Sequence, residues 1–410
     1  MQNINAGDTS FVLVSAGLVM LMTPGLALFY GGMVRAKNVL GTIMHSFFIL
    51  GLISVLWVLV GYSLAFGPDV RGFIGGLQWL GLGGVGGEPN ADYAATIPHL
   101  AFMIFRGMFA VITPALITGA FAERMKFRGF VIFTVLWALL VYSPVCHWVW
   151  GVGGWIRNLG VMDFAGGTVV HINSGIAALA AALVIGRRKD YGNGSLVPHN
   201  LPLTVLGAAL MWFGWFGFNA GSALAANGLA ANAFVVTNTA AAMAALSWSA
   251  AEALHRGKPT TLGAASGCVA GLVAITPGSG FVGPMASVVI GLIAGVACYG
   301  GVLLKSRVGY DDSLDVVGIH AVGGTTGALL TGVFASKAIN PGGSNGLLFG
   351  GGASVLGIQA VAVIATIVYS FTVSLILLKL VDAVVGLRVS DEEEETGLDL
   401  SQHSEVGYAF

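Results

Sequence analysis

The chain has 410 residues, of which 56% are hydrophobic and only 9% are charged, and its net charge is -1. An ordinary soluble domain carries roughly 25% charged residues, so this chain cannot clothe itself in a water-facing surface, and its scattered cations form no nucleic-acid patch. Cys146, Cys268 and Cys298 are odd in number and lie in apolar runs, which excludes a disulfide framework and leaves them as small core residues. Met1 to Ser10 hold no Lys or Arg. The basic leader of a signal peptide is therefore missing, and the first apolar run is expected to stay in the mature protein.

Apolar runs of about twenty residues recur along the chain, each long enough to cross a hydrocarbon core at ~1.5 Å rise per residue. They predict an all-α polytopic membrane protein with eleven spans, at about 10–34, 41–66, 99–122, 129–150, 165–186, 201–222, 234–255, 261–276, 284–304, 315–335 and 347–385. The last is too long for one straight crossing and should tilt or run on beyond the membrane. The 62 glycines suit membrane helices, where small residues let backbones approach closely.

Charge orients the spans, because cytoplasmic loops retain Lys and Arg. Arg35, Lys37, Arg124, Lys126, Arg128, Arg187, Arg188, Lys189, Arg256, Lys258, Lys305, Arg307, Lys379 and Arg388 fall on one side, 14 of the 18 basic residues. Arg71, Arg157 and Lys337 fall on the other, and Arg106 lies within a span. The N-terminus is thus predicted outside and the C-terminus inside, as an odd span count requires.

Asp163 and His171 are eight apart at the start of span five, and Asp312 and His320 are eight apart at the start of span ten. Glycine follows each histidine four residues later, at Gly175 and Gly324. Five spans separate the copies, and an odd number inverts the second, a common transporter plan with its site near the midplane. The repeats would cover about 10–186 and 201–335 of a membrane domain 1–388, with a cytoplasmic tail 389–410. Gly81, Gly83 and Gly86 have the spacing of a dinucleotide fingerprint but sit in an external loop without the strand and helix it needs. The acidic run Asp391 to Glu395 reads as a solvated tail.

Ionisable groups inside a membrane are costly and need a role. His171 and His320 stand in runs with few other such groups, and their equivalent places favour a shared site over two separately packed histidines. An apolar bore favours neutral imidazoles. Each neutral ring has one donor and one acceptor nitrogen, so a pair can bond to each other and still serve a small polar guest such as ammonia. Phe105, Phe109, Trp150, Trp212, Phe213, Trp215, Phe216 and Phe218 form an aromatic set in which most members should be core or lipid-facing. Trp150 ends span four on the external side, where its indole face can meet a cation for ~0.5 to 2 kcal/mol.

The stretches TPGLALFYGGMVRAKN (Thr23 to Asn38), FRGMFAVITPALITGAFAERMKF (Phe105 to Phe127), DFAGGTVVHINSG (Asp163 to Gly175), GWFGFNAGS (Gly214 to Ser222) and DDSLDVVGIHAVGG (Asp311 to Gly324) resemble the signature segments of the Amt/Mep/Rh ammonium transporters. The resemblance runs from span one into the tail and implies transmembrane transport of ammonium or ammonia at the cell membrane, by a non-enzyme with no cofactor. It implies an external recruitment site from Phe109, Trp150 and Ser222, with Phe105 nearby, and a stacked gate of Phe109 and Phe218. His171 and His320 would be twin pore histidines, with Trp215 beside them in the pore, and Asp163 the carboxylate that orders the site and stabilises the cation. It also implies a homotrimer with one pore per subunit, and a PII-type signalling protein docking on the cytoplasmic side.

Three positions depart from the family pattern: Arg106 and His45, both where Gln is usual, and Thr326, where many members have Trp. Arg106 would repel cations if it faced the vestibule; otherwise it snorkels to the interface. In the tail, Ser404 replaces a glycine between His403 and Glu405, and the acidic run could pair with Arg187, Arg188, Lys189, Lys305 or Arg307. The nearest rival is an ammonium sensor on the same scaffold, signalling to a cytoplasmic domain or partner. A membrane redox protein with His171 and His320 as haem ligands is another class. Intramembrane hydrolysis finds no HExxH motif.

Overall fold

The computed structural model describes residues 4–192 and 196–408, so residues 1–3 of the opening stretch and the last two residues of the tail lie outside it. Among the described residues, ten helices are long and apolar enough to cross a membrane, with one shorter apolar helix between them. In chain order they are α1 (Ala6–Met33), α2 (Ala36–Phe66), α3 (His99–Ala120), α4 (Phe127–Asn158), α5 (Gly167–Ile185), α6 (Leu201–Ala223), α7 (Gly228–Arg256), α8 (Thr261–Ile275), α9 (Pro284–Val308), α10 (Val317–Phe334) and α11 (Gly352–Val385). The all-α polytopic fold read from the sequence is the fold observed.

Boundaries differ where side-chain caps or glycines override hydropathy. The Asn5 side chain accepts the amide of Asp8, so α1 starts ahead of its apolar run. Asn227 does the same for α7, accepting from Leu229 and Ala230. The eleventh span begins at Gly352 rather than 347, because Gly350 and Gly352 take φ values of +84° and +74° and break the helix. At 34 residues α11 is about 50 Å long, longer than one straight crossing needs.

The eighth is the shortest of the eleven apolar helices among the described residues. Helix α8 has 15 residues and reaches ~22 Å, short of the ~30 Å of a hydrocarbon core. Pro277 cannot continue the ladder, and its ring disfavours helical backbone at Thr276. Both residues are left buried inside the bundle.

Close packing follows the glycines. Along the α1–α6 contact, a Cβ on Gly207 would collide with the Phe29 backbone, and one on Gly214 with Met22. One small hairpin, β1 (Asp69–Val70) with β2 (Ile74–Gly75), lies in the loop after α2 and has no counterpart in the sequence reading. His147 ties it to α4 by an Nε2 contact of 2.9 Å to Asp69.

The face carrying the basic loops is closed by ion pairs. Arg188 binds Asp311 through two nitrogens at 2.9 Å and Glu123 at 2.9 Å, and Arg35 reaches Glu123 at 3.1 Å. Burial alone would raise the Glu123 carboxyl, but the guanidiniums of Arg188 and Arg35 hold it below its usual value. Burial likewise opposes ionisation of Asp311, and its bonds from Arg188 override that.

The acidic run is no solvated tail. It forms α12 (Asp391–Thr396), opened by a reciprocal cap between Ser390 and Glu393. Glu394 is buried, accepting from the Lys189 amide at 2.8 Å and from Arg388 at 2.7 Å, and Glu395 pairs with the Lys189 ammonium. Of the partners expected from sequence, Arg187 instead donates to the Gly309 carbonyl and Lys305 pairs with Asp315. A second short helix, α13 (Leu398–His403), follows.

Candidate functional site

Two helices with the same irregularity meet in the centre of the bundle. His171 lies in a π-helical turn, Gly167–Ile172, that opens α5, and His320 in another, Val317–Ala321, that opens α10. Such turns recur at functional sites, since the extra residue re-aims a side chain. Each turn is seated on the glycine that follows the other histidine. A Cβ on Gly175 would overlap the Ala321 backbone, and one on Gly324 would stand 2.9 Å from the Gly167 carbonyl and 3.0 Å from His171 Cβ. Only glycine allows this reciprocal approach.

The approach brings the imidazoles together. Their Nδ1 atoms are 3.2 Å apart, with ring centroids 5.3 Å apart and planes inclined by 22°. At that distance only one Nδ1 carries the proton, donated to the other. The donor ring then offers Nε2 as an acceptor, and its partner offers Nε2–H as a donor. His171 Nε2 has no partner among the described residues. Two nitrogens on opposite sides of one metal ion stand about 4 Å apart, so these two Nδ1 atoms leave no room for an ion between them.

Aromatic rings continue the line. Trp215 stacks on His171 with centroids 5.4 Å apart, and its Nε1–H donates to Thr276 Oγ1 at 2.9 Å. The short helix α8 is what delivers that hydroxyl. Phe218 lies 6.0 Å from His171 and stacks on Phe109 at 4.2 Å and 29°. Phe109 in turn meets Phe105 at 5.0 Å and Trp150 at 5.8 Å. All these rings are buried. By contrast Phe213 is exposed and Phe216 stacks on Phe234, the lipid-facing or packing roles expected of most aromatics here.

Asp163 anchors the other end of the row. Its Oδ1 accepts the amides of Gly166 and Gly167 at 2.8 and 2.6 Å, and its Oδ2 those of Thr168 and Val169 at 2.8 and 3.3 Å. Four amides at the head of α5 are thereby satisfied, and the charge complements the helix dipole. The Asp163 carbonyl accepts Trp150 Nε1–H at 2.8 Å, fixing the indole. Ser222 lies in the turn that ends α6, its hydroxyl donating to the Phe218 carbonyl at 2.9 Å. The glycine before it, Gly221, abuts Phe105.

The three unusual positions have separate fates. His45 is enclosed by Phe121, Phe127 and Phe130, with no ring contact to the imidazole pair. Thr326 is half-buried on α10. Arg106 does not snorkel: it is 7% exposed, and its guanidinium carbon stands 4.3 Å from the Trp150 ring centroid. Thr276 and Pro277 were missed in the sequence, where the proline after a short apolar run was the available signal. Pro277 packs on Gly167, and its carbonyl accepts the Phe164 amide at 3.0 Å.

Comparison with known proteins identifies the family. The chain is 56% identical to the ammonium transporter of Bacillus subtilis over 98% of both chains, and 50% identical to the ammonium transporter Amt1 of Archaeoglobus fulgidus over 98% of this chain and 99% of that one. Among solved structures, Saccharomyces cerevisiae Mep2 superposes with a TM-score of 0.87 at 36% identity, covering 95% of this chain and 89% of Mep2. A structure described as a sensor Amt protein gives 0.88 at 31% identity, covering 97% and 98%. The Ammonium Transporter Family model matches residues 10–408, so the chain belongs to that family and is a multi-pass membrane protein that transports ammonium.

Proposed function

We propose that ammonium is recruited at Trp150, Phe109 and Ser222, passes the Phe109–Phe218 stack, and is carried along the His171–His320 pair as a hydrogen-bonding guest. The 3.2 Å contact between the imidazoles carries this reading, because it leaves one Nε2 acceptor and one Nε2–H donor along a row of buried rings. Potassium matches ammonium in charge and size but donates no hydrogen bond, so a filter of acceptors in apolar walls discriminates chemically where a size filter would not. Phe105 completes the ring cluster at the mouth, and Trp215, held by Thr276, fixes the face of His171. Asp163 acts on an arriving cation through its field, its oxygens being engaged by backbone amides. The working unit in this reading is a homotrimer with one pore per subunit, and a PII-type protein would meet the face bearing the tail.

The test is the double variant His171→Ala with His320→Ala, purified and reconstituted in proteoliposomes. Ammonium-evoked current should fall at least tenfold, or lose its preference over potassium, with melting temperature little changed. A folded double variant that discriminates as the parent does would remove the twin-histidine pathway. The structural likeness to a sensor Amt protein supports a second reading, a sensor on the same scaffold. Saturable ammonium binding without flux in the parent would favour it.

A further inference from the structure

Arg106 has no task in the pathway just described, yet it occupies the mouth. Its guanidinium carbon stands 4.3 Å from the Trp150 ring centroid, 5.5 Å from Phe109, 5.6 Å from Phe102 and 5.8 Å from Phe105. These are the distances at which a cation is held on ring faces. The side chain is 7% exposed, and its Nε and Nη1 have no hydrogen-bond partner among the described residues. It lines a cavity of about 250 Å³ together with Trp150, Asp163, Arg157 and Phe281. A guanidinium keeps its charge in proteins. The ring faces that would receive ammonium therefore already hold a cation.

We propose that Arg106 is a tethered competitor: its guanidinium occupies the cation-recruiting faces of Trp150 and Phe109, and external ammonium binds there only by displacing it. The proposal rests on the recruitment reading above. Asp163 does not cancel the charge by a direct bond, since both its oxygens accept backbone amides. Arg157, whose Nη1 donates to the Trp150 carbonyl at 2.7 Å, adds a second positive charge at the same rim. Like charges about 6 Å apart at a protein surface repel enough to weaken binding on the order of ten- to a hundredfold. Arg106 thus sets the affinity of the mouth, tuning it to high ammonium concentrations. Leaving its pocket costs the guanidinium its ring contacts but opens its Nε and Nη1, which no described residue bonds, to solvent.

The experiment measures ammonium binding to the purified full-length protein by calorimetry, and the half-saturation of ammonium-evoked current in proteoliposomes. Arg106→Gln and Arg106→Met, both neutral, should bind ammonium at least tenfold more tightly and half-saturate at correspondingly lower concentration. Arg106→Lys should stay within about threefold of the parent. Two neutral side chains of different polarity guard against one of them misfolding. Neutral variants that fold and bind no more tightly than the parent overturn the proposal, as does an Arg106→Lys protein that binds as tightly as Arg106→Gln. Trp150→Leu separates this from the recruitment reading: no gain in the neutral variants, with half-saturation raised by Trp150→Leu, overturns the competitor and keeps the recruitment site. No change in any of them defeats both.

Discussion

Asp163 does with one side chain what a helix start otherwise needs several groups to do, and its charge and its hydrogen bonds can be parted. Asp163→Ala removes the acceptor for four amides and should cost about 2 kcal/mol of stability, read as a fall in melting temperature in detergent. Asp163→Asn keeps one acceptor oxygen and should melt between the two. Ammonium flux in the Asn protein should nonetheless fall about tenfold if the carboxylate's field holds the cation; parental flux would confine Asp163 to capping. Its counterpart, Asp312, lies in the loop ahead of α10 and accepts the Val317 amide at 2.7 Å. Burial, opposed by Lys305 and reinforced by Asp315, pushes its carboxyl up to about 6. The folded protein then holds a proton that the unfolded chain releases nearer pH 4, so this group makes stability fall as pH rises from about 4 to 6. Asp312→Asn keeps the bond to Val317 without that charge, and its melting temperature should decline less over the same interval. Both aspartates were visible in the sequence from their eight-residue offset to a histidine. What they bond was not, because it depends on where the backbone turns.

Helices α5 and α10 carry the site because each is irregular where it passes the other. The sequence displayed the histidines and the glycines four residues beyond them, but not the π-helical turns, since such a turn has the composition of the α-helix around it. It also gave no hint that Gly175 serves His320's helix and Gly324 serves that of His171, a contact 149 residues apart along the chain at the imidazoles. Gly175→Ala should therefore destabilise by about 1 to 3 kcal/mol through overpacking and weaken ammonium selectivity by parting the rings. Gly51→Ala is the matched control: no atom lies within 4 Å of the added Cβ, so helix propensity alone should stabilise by about 0.5 to 1 kcal/mol. A Gly175→Ala protein that melts no lower than the parent would refute the seating of Gly175. The short α8 is the other element whose role hydropathy did not disclose. Its apolar run resembles a span, and only Pro277 betrays that the chain turns to supply Thr276 to Trp215.

The whole molecule is closed on its basic face by its own C-terminus. Asp399 accepts the amides of Leu40 and Gly41 at 3.0 and 2.8 Å, capping the start of α2, and Gln402 accepts the Phe127 amide at 3.2 Å at the start of α4. His403 packs its ring on Phe127, which flanks His45. The sequence identified the segment by resemblance, but an acidic run gives no indication of which buried amides it will meet. Ending the chain after Val389 should lower the melting temperature by several degrees and reduce ammonium flux severalfold while the bundle remains folded; Asp399→Ala alone should reproduce part of both effects. Unchanged melting and flux in the truncated protein would show that these caps are dispensable. The reciprocal seating at the centre has a mechanical corollary. Many transporters expose a midplane site by rocking one half against the other. Here that motion would have to pry the Ala321 backbone from Gly175 and Gly324 from Gly167 at once. On the proposed pathway the two halves hold instead as one frame, and the moving parts are side chains, the rings of Phe109 and Phe218 and the guanidinium of Arg106, whose reorientation is a fast local event. On that pathway no step waits on a rocking of the two halves, and ammonium flux should depend only shallowly on temperature.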